Sequence, residues 1–439
     1  MNIDLFTSRI QEKIKPLHGG TLGPKEGNQL RLNASELFRE LGVPYTRLHD
    51  VVYPYGSNQY IDIHCIFPDF DANVDDEKSY YFQESDKYIQ AILDVDCKVF
   101  FRLGESIDHY NRKLYVHPPK DYLKWAKICE HIILHYNKGW ANGFHHNIEY
   151  WEIWNEPEGH CMWTGTFEDY YRLYDVAATY LKSKFPELKI GGYAASGFYA
   201  LNRADASAWF KTLIPFIDGF FEYVTTRNHY VPIDFFSWHC YTEGPEEIVF
   251  HSNCVREYLD KNGYKKTESI LNEFNTRESL GAIPAWTLPH YASEIASCLI
   301  AAQSAPVDKI MYYRMGYCFT NCLFALSADQ TKYIKYQGFY ALKYFGNLYK
   351  LSNRCECLQD VNDGTVYSLS ATDNRKTGLF IAVNDFNGDI SVNVHGDCKE
   401  YKLYSVSFSQ DEKTSEGTIT NSSVKLGVAK NTLYYLELI

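Results

Sequence analysis

Nowhere in its 439 residues does the sequence contain the roughly 18 consecutive apolar positions that a bilayer-crossing helix needs, so no membrane span and no membrane partner are expected. A basic excess is missing too: 43 Lys and Arg stand against 55 Asp and Glu, a formal charge of −12. Such a chain has no surplus of cations with which to displace counterions from phosphates, which argues against nucleic acid as a partner. Met1 to Lys15 interleaves Asp4, Arg9, Glu12 and Lys13 with apolar residues and holds neither an apolar h-region nor a small-residue cleavage site. The matching expectation is a cytoplasmic protein, with secretion the alternative if a leader has been lost. The twelve cysteines lack the spacing of a disulfide framework: Cys97, Cys129, Cys161, Cys240 and Cys298 fall singly in apolar or strand-like stretches, where free, buried thiols are expected. The close pairs Cys318/Cys322 and Cys355/Cys357 have no second pair or His-x3-His to complete a zinc set, so neither metal nor cofactor is expected.

What is present describes a globular chain with an ample core, 45% hydrophobic and 22% charged. Its aromatic content, 16%, would suit stacking on flat, partly apolar ligands such as sugars, although most of the 37 Tyr belong to packing.

Read in order, short apolar runs alternate with helical periodicity. Strands are predicted at Pro16–Gly23, Val43–His49, Cys97–Leu103, Glu149–Glu156, Leu188–Gly192, Ile233–Tyr241, Ser269–Glu273 and Lys309–Tyr313. Helices are predicted behind them at Ala34–Leu41, Phe82–Leu93, Tyr122–Tyr136, Phe167–Phe185, Ala206–Phe221, Ile248–Leu259, Tyr291–Ala302 and Tyr336–Phe345. Eight strand–helix units predict an α/β fold, a (β/α)8 TIM barrel over residues 1–349. A doubly wound sheet is the lesser alternative, since no G-x-G-x-x-G follows the first strand. The Tyr- and Asp-rich excursion 51–81 is long enough to be a pocket wall or an interface. From residue 350 to 439 short alternating runs (Val366–Ala371, Gly378–Val383, Ile390–Val394, Tyr401–Val406, Leu433–Leu438) predict a small C-terminal antiparallel β domain that packs on the barrel.

In a (β/α)8 enzyme the reactive groups come from the carboxyl ends of the strands. Those ends carry Arg47, His49, Glu105, Asn155, Glu156, His239, Tyr241, Glu273 and Tyr313. Glu156 and Glu273, each preceded by Asn, end strands four and seven and face each other across the mouth. Two carboxylates on one gap are what glycosidic cleavage requires, one donating a proton to the leaving oxygen and the other attacking the anomeric carbon or activating water. Their pKa values must differ, and Arg47, His239 and Tyr241 are donors able to keep one ionised.

Together, Tyr45-Thr46-Arg47-Leu48-His49, Trp154-Asn155-Glu156-Pro157 with Trp163, Lys189-Ile190-Gly191-Gly192, Asp234 to Tyr241, and Asn272-Glu273-Phe274-Asn275-Thr276 resemble glycoside hydrolase clan A. The similarity is greatest to family 39, that of β-xylosidases and α-L-iduronidases. The resemblance implies a retaining double displacement with Glu156 as general acid/base and Glu273 as nucleophile. It also implies that His49, Asn155, Trp163, His239 and Tyr241 hold or position the sugar, with Tyr313 stacking where the xylosidases have a Trp, and that the C-terminal domain is a β-sandwich; Arg47 and Glu105, from their strand-end positions, are expected in support. Thr320-Asn321 and Glu158 depart from the family pattern, the latter standing where a second Asn is usual. The expected function is therefore a retaining, xylosidase-like hydrolase acting on an oligosaccharide or glycoside. An arabinosidase, galactosidase or endo-acting enzyme of the same fold, or a catalytically silent carbohydrate-binding protein, is the alternative. A homo-oligomer is compatible with the sequence.

Overall fold

The computed structural model describes residues 1–25, 33–51, 60–316, 321–408 and 410–439, so part of the 51–81 excursion and Thr320 fall outside the described residues. The chain opens with β1 (Asn2–Lys13) and then enters a closed parallel barrel. Its eight strands are β2 (Gly19–Thr21), β3 (Tyr45–Leu48), β4 (Lys98–Leu103), β5 (Tyr150–Ile153), β6 (Lys189–Ala195), β7 (Phe235–Thr242), β8 (Glu268–Thr276) and β9 (Lys309–Tyr312). Between them run α1 (Ser35–Leu41), α2 (Ile63–Ile66), α3 (Gln83–Leu93), α4 (Tyr122–Lys138), α5 (Phe167–Lys184), α6 (Ala208–Thr226), α7 (Pro245–Lys261) and α8 (Tyr291–Ala302). A hairpin, β10 (Phe324–Leu326) with β11 (Tyr333–Lys335), precedes α9 (Gln337–Leu351). The predicted barrel is present strand for strand.

The helices begin and end where local chemistry says they should. Before α5, Thr166 and Asp169 cap each other's backbone N–H groups, and Tyr170, Leu173, Tyr174, Ala177, Ala178 and Leu181 then recur at helical spacing and are buried. α4 ends at Gly139, whose φ of 78° is cheap only for glycine.

Inside the barrel the period-two alternation of strands stacks side chains in layers. Tyr45, Phe100, Tyr150, Phe235, Ile270 and Met311 form an apolar floor. Two residues further along each strand come Arg47, Arg102, Glu152, Ser237 and Asn272, all fully buried. This polar layer is tolerable because it is paired: Arg47 Nε donates to Glu152 Oε2 at 2.8 Å, Ser237 and Asn272 donate to Glu152 Oε1, and Arg102 meets Asp62. The reactive layer stands on it.

The second domain is built differently from the sequence expectation at one point. Its strands are β12 (Asn353–Gln359), β13 (Val366–Thr372), β14 (Thr377–Val383), β15 (Gly388–His395), β16 (Glu400–Ser407), β17 (Gln410–Thr418), β18 (Ser423–Val428) and β19 (Thr432–Leu438). They pair in the order β17-β16-β19-β14-β13-β12-β1-β15-β18. β1 thus lies centrally, antiparallel to β12 and parallel to β15, so residues 2–13 join this sheet rather than the barrel. Sequence order misassigned them because pairing across 340 to 389 residues leaves no local signal. Ile3 and Leu5 enter a core with Leu379, Ile381, Val392, Leu426 and Leu436, drawn from both halves of the sheet, which must therefore fold over on itself. Replacing Leu5 with Ala should cost about 2–5 kcal/mol, read as a lower midpoint of urea unfolding for the C-terminal domain. A change under about 0.5 kcal/mol would contradict the central placement of β1. Against the barrel, Tyr344 of α9 stacks on Tyr435 at 5.5 Å, and Lys343 pairs with Glu412 at 2.9 Å.

Candidate active site

The strand ends meet at one mouth. β5 stops at Ile153, and the chain then leaves the ladder through Trp154 (φ 72°) and Glu156 (φ 40°), left-handed conformations that cost non-glycine residues about 1–3 kcal/mol. They are held by specific bonds. Trp154 N donates to Leu103 O at 2.7 Å, its indole N–H to Met162 O at 2.7 Å, and Glu156 N to Ala194 O at 3.1 Å. On the opposite side, the pairing of β7 with β8 slips by one residue between Trp238 and His239. Strict alternation would point Asn272 inward and Glu273 away. The slip sets Glu273 against His239 and lets both consecutive residues reach the axis.

His239 joins the two acids. Its Nδ1 lies 2.7 Å from Glu156 Oε1 and 3.6 Å from Glu273 Oε2, and one oxygen of each acid lies within 4.8 Å of the other's. The acids differ in their donors. Glu273 accepts from Arg47 Nη1 at 3.2 Å through Oε2 and from the Tyr241 hydroxyl through Oε1, whereas among the described residues the Glu156 carboxyl meets the His239 imidazole alone.

Electrostatics follows that asymmetry. Burial lifts Glu156 to about 7, with Arg47 opposing and the Asp50 charge adding to the rise. Burial also raises Glu273, with the Glu156 charge adding to the rise and Arg47 and the Tyr241 hydroxyl opposing it. Of this coupled pair Glu273 therefore ionises first, and Glu156 keeps its proton near neutrality. Burial takes His239 down to about 4, so its ring is neutral and can share a proton with Glu156 without charging.

The remaining predicted residues take distinct places. Arg47 Nη2 donates to Asn155 Oδ1 at 2.6 Å, which fixes the orientation of the amide. Tyr241 is fixed by its own backbone: its N–H donates to the Tyr199 hydroxyl at 2.7 Å and its carbonyl accepts from Arg203 at 2.6 Å. Tyr313 is half-buried, its ring 6.4 Å from that of Tyr241, and its hydroxyl donates to Asp50 Oδ2 at 3.1 Å. His49 is buried with Nε2 3.5 Å from Asp50 Oδ2, and burial together with Arg47 and Arg102 keeps it neutral.

The pattern of glycosyl hydrolases family 39 matches residues 3–330. The chain belongs to that family. It is 29% identical to a β-xylosidase of Caldicellulosiruptor saccharolyticus over 233 residues, 50% of this chain but only 40% of that one, so it spans well under two thirds of that relative. Among solved structures, a glucosidase from Croceicoccus marinus superposes with a TM-score of 0.79 at 20% identity, covering 100% of this chain and 98% of that one. A monomeric β-xylosidase from Caulobacter crescentus superposes with a TM-score of 0.70 at 17% identity, covering 100% and 99%. At these identities the structural likeness speaks for the fold.

Two residues expected at the site of this family 39 member lie elsewhere. Trp163 is 2% exposed, donates its indole N–H to Thr166 O at 3.0 Å, and packs edge-on against Trp154 at 5.1 Å. It offers no face to a sugar and instead braces the strained Trp154 turn that carries Glu156. Glu105 faces the β3–β4 side, where it is clamped by the His64 backbone N–H at 3.2 Å and by the His64 ring. A residue following β4 can lean toward either neighbour, and the spacing in sequence carries no sign of which.

Two others were missed. Glu152 is the shared acceptor beneath the site, and its signal was a charge at an inward position of an otherwise apolar barrel strand. Asp50 closes the far wall between Tyr313, His49 and the Ile107 N–H, at φ 52°. Glu158, the departure beside the acid/base position, is raised to about 8 by burial and accepts from the N–H and hydroxyl of Ser196 at 3.2 Å. Largely protonated near neutrality, it adds little charge next to Glu156, as the amide usual in the family would.

Among the described residues, three groups of acids and histidines come close enough to share an ion: Asp62/His64/Glu105, Glu156/His239/Glu273 and Glu278/His290/Glu294. In the first, Asp62 is spent on Arg102 and Ser106 and Glu105 on His64, and in the second the lone pairs face Arg47, Tyr241 and His239. The third lies at the surface.

Proposed function

We propose that this chain is a retaining glycosidase that removes a terminal sugar, with a β-xyloside the leading substrate. The observation that carries the reading is the His239-linked pair, in which one carboxyl is held protonated and the other is faced by a cation and a phenol. In the first step Glu273 Oε attacks the anomeric carbon as Glu156 gives its proton to the leaving oxygen. In the second, Glu156 takes a proton from water, which displaces Glu273 from the same face, so configuration is kept. Arg47 and Tyr241 stabilise the charge that returns to Glu273 as it leaves. Asn155 is proposed to hold the hydroxyl beside the reacting carbon, and Tyr313 to floor the sugar.

The β-xylosidase relative supports the sugar, while the phenol of Tyr313 leaves room for a glucoside, as in the glucosidase whose fold is similar. Nitrophenyl β-xyloside, β-glucoside, β-galactoside and α-arabinoside assayed side by side decide between them, with the xyloside expected to have the highest kcat/KM. Absence of turnover on every member would overturn the reading in favour of a silent sugar-binding barrel. A reducing compartment is proposed for the protein, supported by the free, buried thiols of Cys97, Cys129, Cys240, Cys298 and Cys355 and the free, exposed thiol of Cys161.

A further inference from the structure

Glu105 leads to a second constellation. His64 Nδ1 bonds Glu105 Oε2, and His64 Nε2 lies 3.3 Å from Cys65 Sγ. Carboxylate, imidazole and thiol thus stand in the order that activates a nucleophilic cysteine. The His64 ring is locked from a second side by Tyr115, stacked at 3.8 Å with 12° between the planes. Cys65 is half-buried and, with His64, lines a cavity of about 540 Å³ walled by Tyr60, Tyr81 and Tyr115. We propose that Cys65, His64 and Glu105 form a thiol–imidazole–carboxylate site, separate from the glycosidase centre, at which Cys65 takes up soft carbon electrophiles.

The surrounding charges favour the ion pair. Burial pulls the His64 imidazolium down, but Glu105 and Cys65 outweigh it and lift the ring to about 11. From neighbouring elements, Asp62 is neutralised by Arg102, and Glu84 at the cavity wall by Lys87 at 3.0 Å, leaving the tyrosines uncharged around the thiol. Cys240 gives the contrast. Its Sγ lies 3.5 Å from His251 Nδ1, but that pair is fully buried, burial holds His251 at about 4, and its other nitrogen meets the Asn202 amide oxygen. A neutral imidazole there cannot stabilise a thiolate.

With iodoacetamide as probe, the Cys65 sulfur forms the S–C bond, the C–I bond breaks, iodide leaves with its electron pair, and the thiol proton stays on His64. Full-length protein would be alkylated across pH 5–10 and modification at Cys65 followed by peptide mass spectrometry, beside His64→Asn and His64→Gln. At pH 6.5 Cys65 is expected to react at least tenfold faster in wild type than in both variants, and at least tenfold faster than the half-buried Cys254 and Cys398. Glycosidase turnover retained by the variants shows that they are folded. Equal rates at Cys65 in wild type and variants overturn the proposal. Should both variants misfold, a wild-type Cys65 no faster than Cys254 and Cys398 overturns it.

Discussion

Glu273→Gln is expected to lower kcat on activated aryl glycosides by on the order of 10⁴- to 10⁶-fold, the scale seen when one member of a nucleophilic unit is removed. The amide keeps the volume and can still accept from Tyr241, but it cannot form the glycosyl ester. Arg47 retains Glu152 at 2.8 Å, so the buried guanidinium is not orphaned and the thermal midpoint should fall by no more than a few degrees. Loss of activity with an intact thermal transition therefore isolates chemistry from folding. Turnover within tenfold of wild type would remove Glu273 from the mechanism and, with it, the double displacement proposed for this chain.

Glu156→Gln should discriminate among substrates. With a sugar or alkyl leaving group, the missing proton donor is expected to cost about 10²–10⁴ in kcat/KM. With a dinitrophenyl leaving group, which departs unaided, the first step should survive. Water attack then lacks its base, so the glycosyl-enzyme accumulates, a burst of phenol appears, and added azide restores turnover with retained configuration. The pH profile gives an independent reading. Glu156 must be protonated to act, so with its pKa at about 7 wild-type kcat/KM is full below neutrality and falls as pH rises through 7. The acid limb belongs to Glu273, which must be ionised. In Glu156→Gln the alkaline limb should vanish while the acid limb stays. A limb near 7 that persists in the variant would move the proton donor elsewhere, with Glu158, raised to about 8, the next acid in line.

Much of this was written locally. The period-two runs and the helices behind them are short-range patterns, because burial on a strand or helix face selects residue types at fixed spacing. Glu156 and Glu273 were legible for the same reason: each ends a strand, and all strand ends of a parallel barrel lie on one face. Partners across the fold were not legible. Trp163 and Glu105 lie beside reactive positions in the chain, but the turn at Trp154 draws one into the packing beneath Glu156 and His64 draws the other toward a different cavity. β1 shows the limit most plainly, since its partners β12 and β15 lie 340 to 389 residues away.

The sequence by itself determined the eight-unit barrel, the second β domain and the two carboxyls set at its mouth. The family resemblance implied Glu156 as the acid, and the tertiary structure supplies the physical basis for that choice. That choice rests on an Arg47 side chain from β3, a Tyr241 hydroxyl from β7 and a one-residue slip in the pairing of β8, which together surround Glu273 with donors and leave Glu156 with a neutral imidazole. A pKa is set by burial and by charges within a few ångströms, and such neighbours are assembled by chain closure rather than by adjacency in sequence.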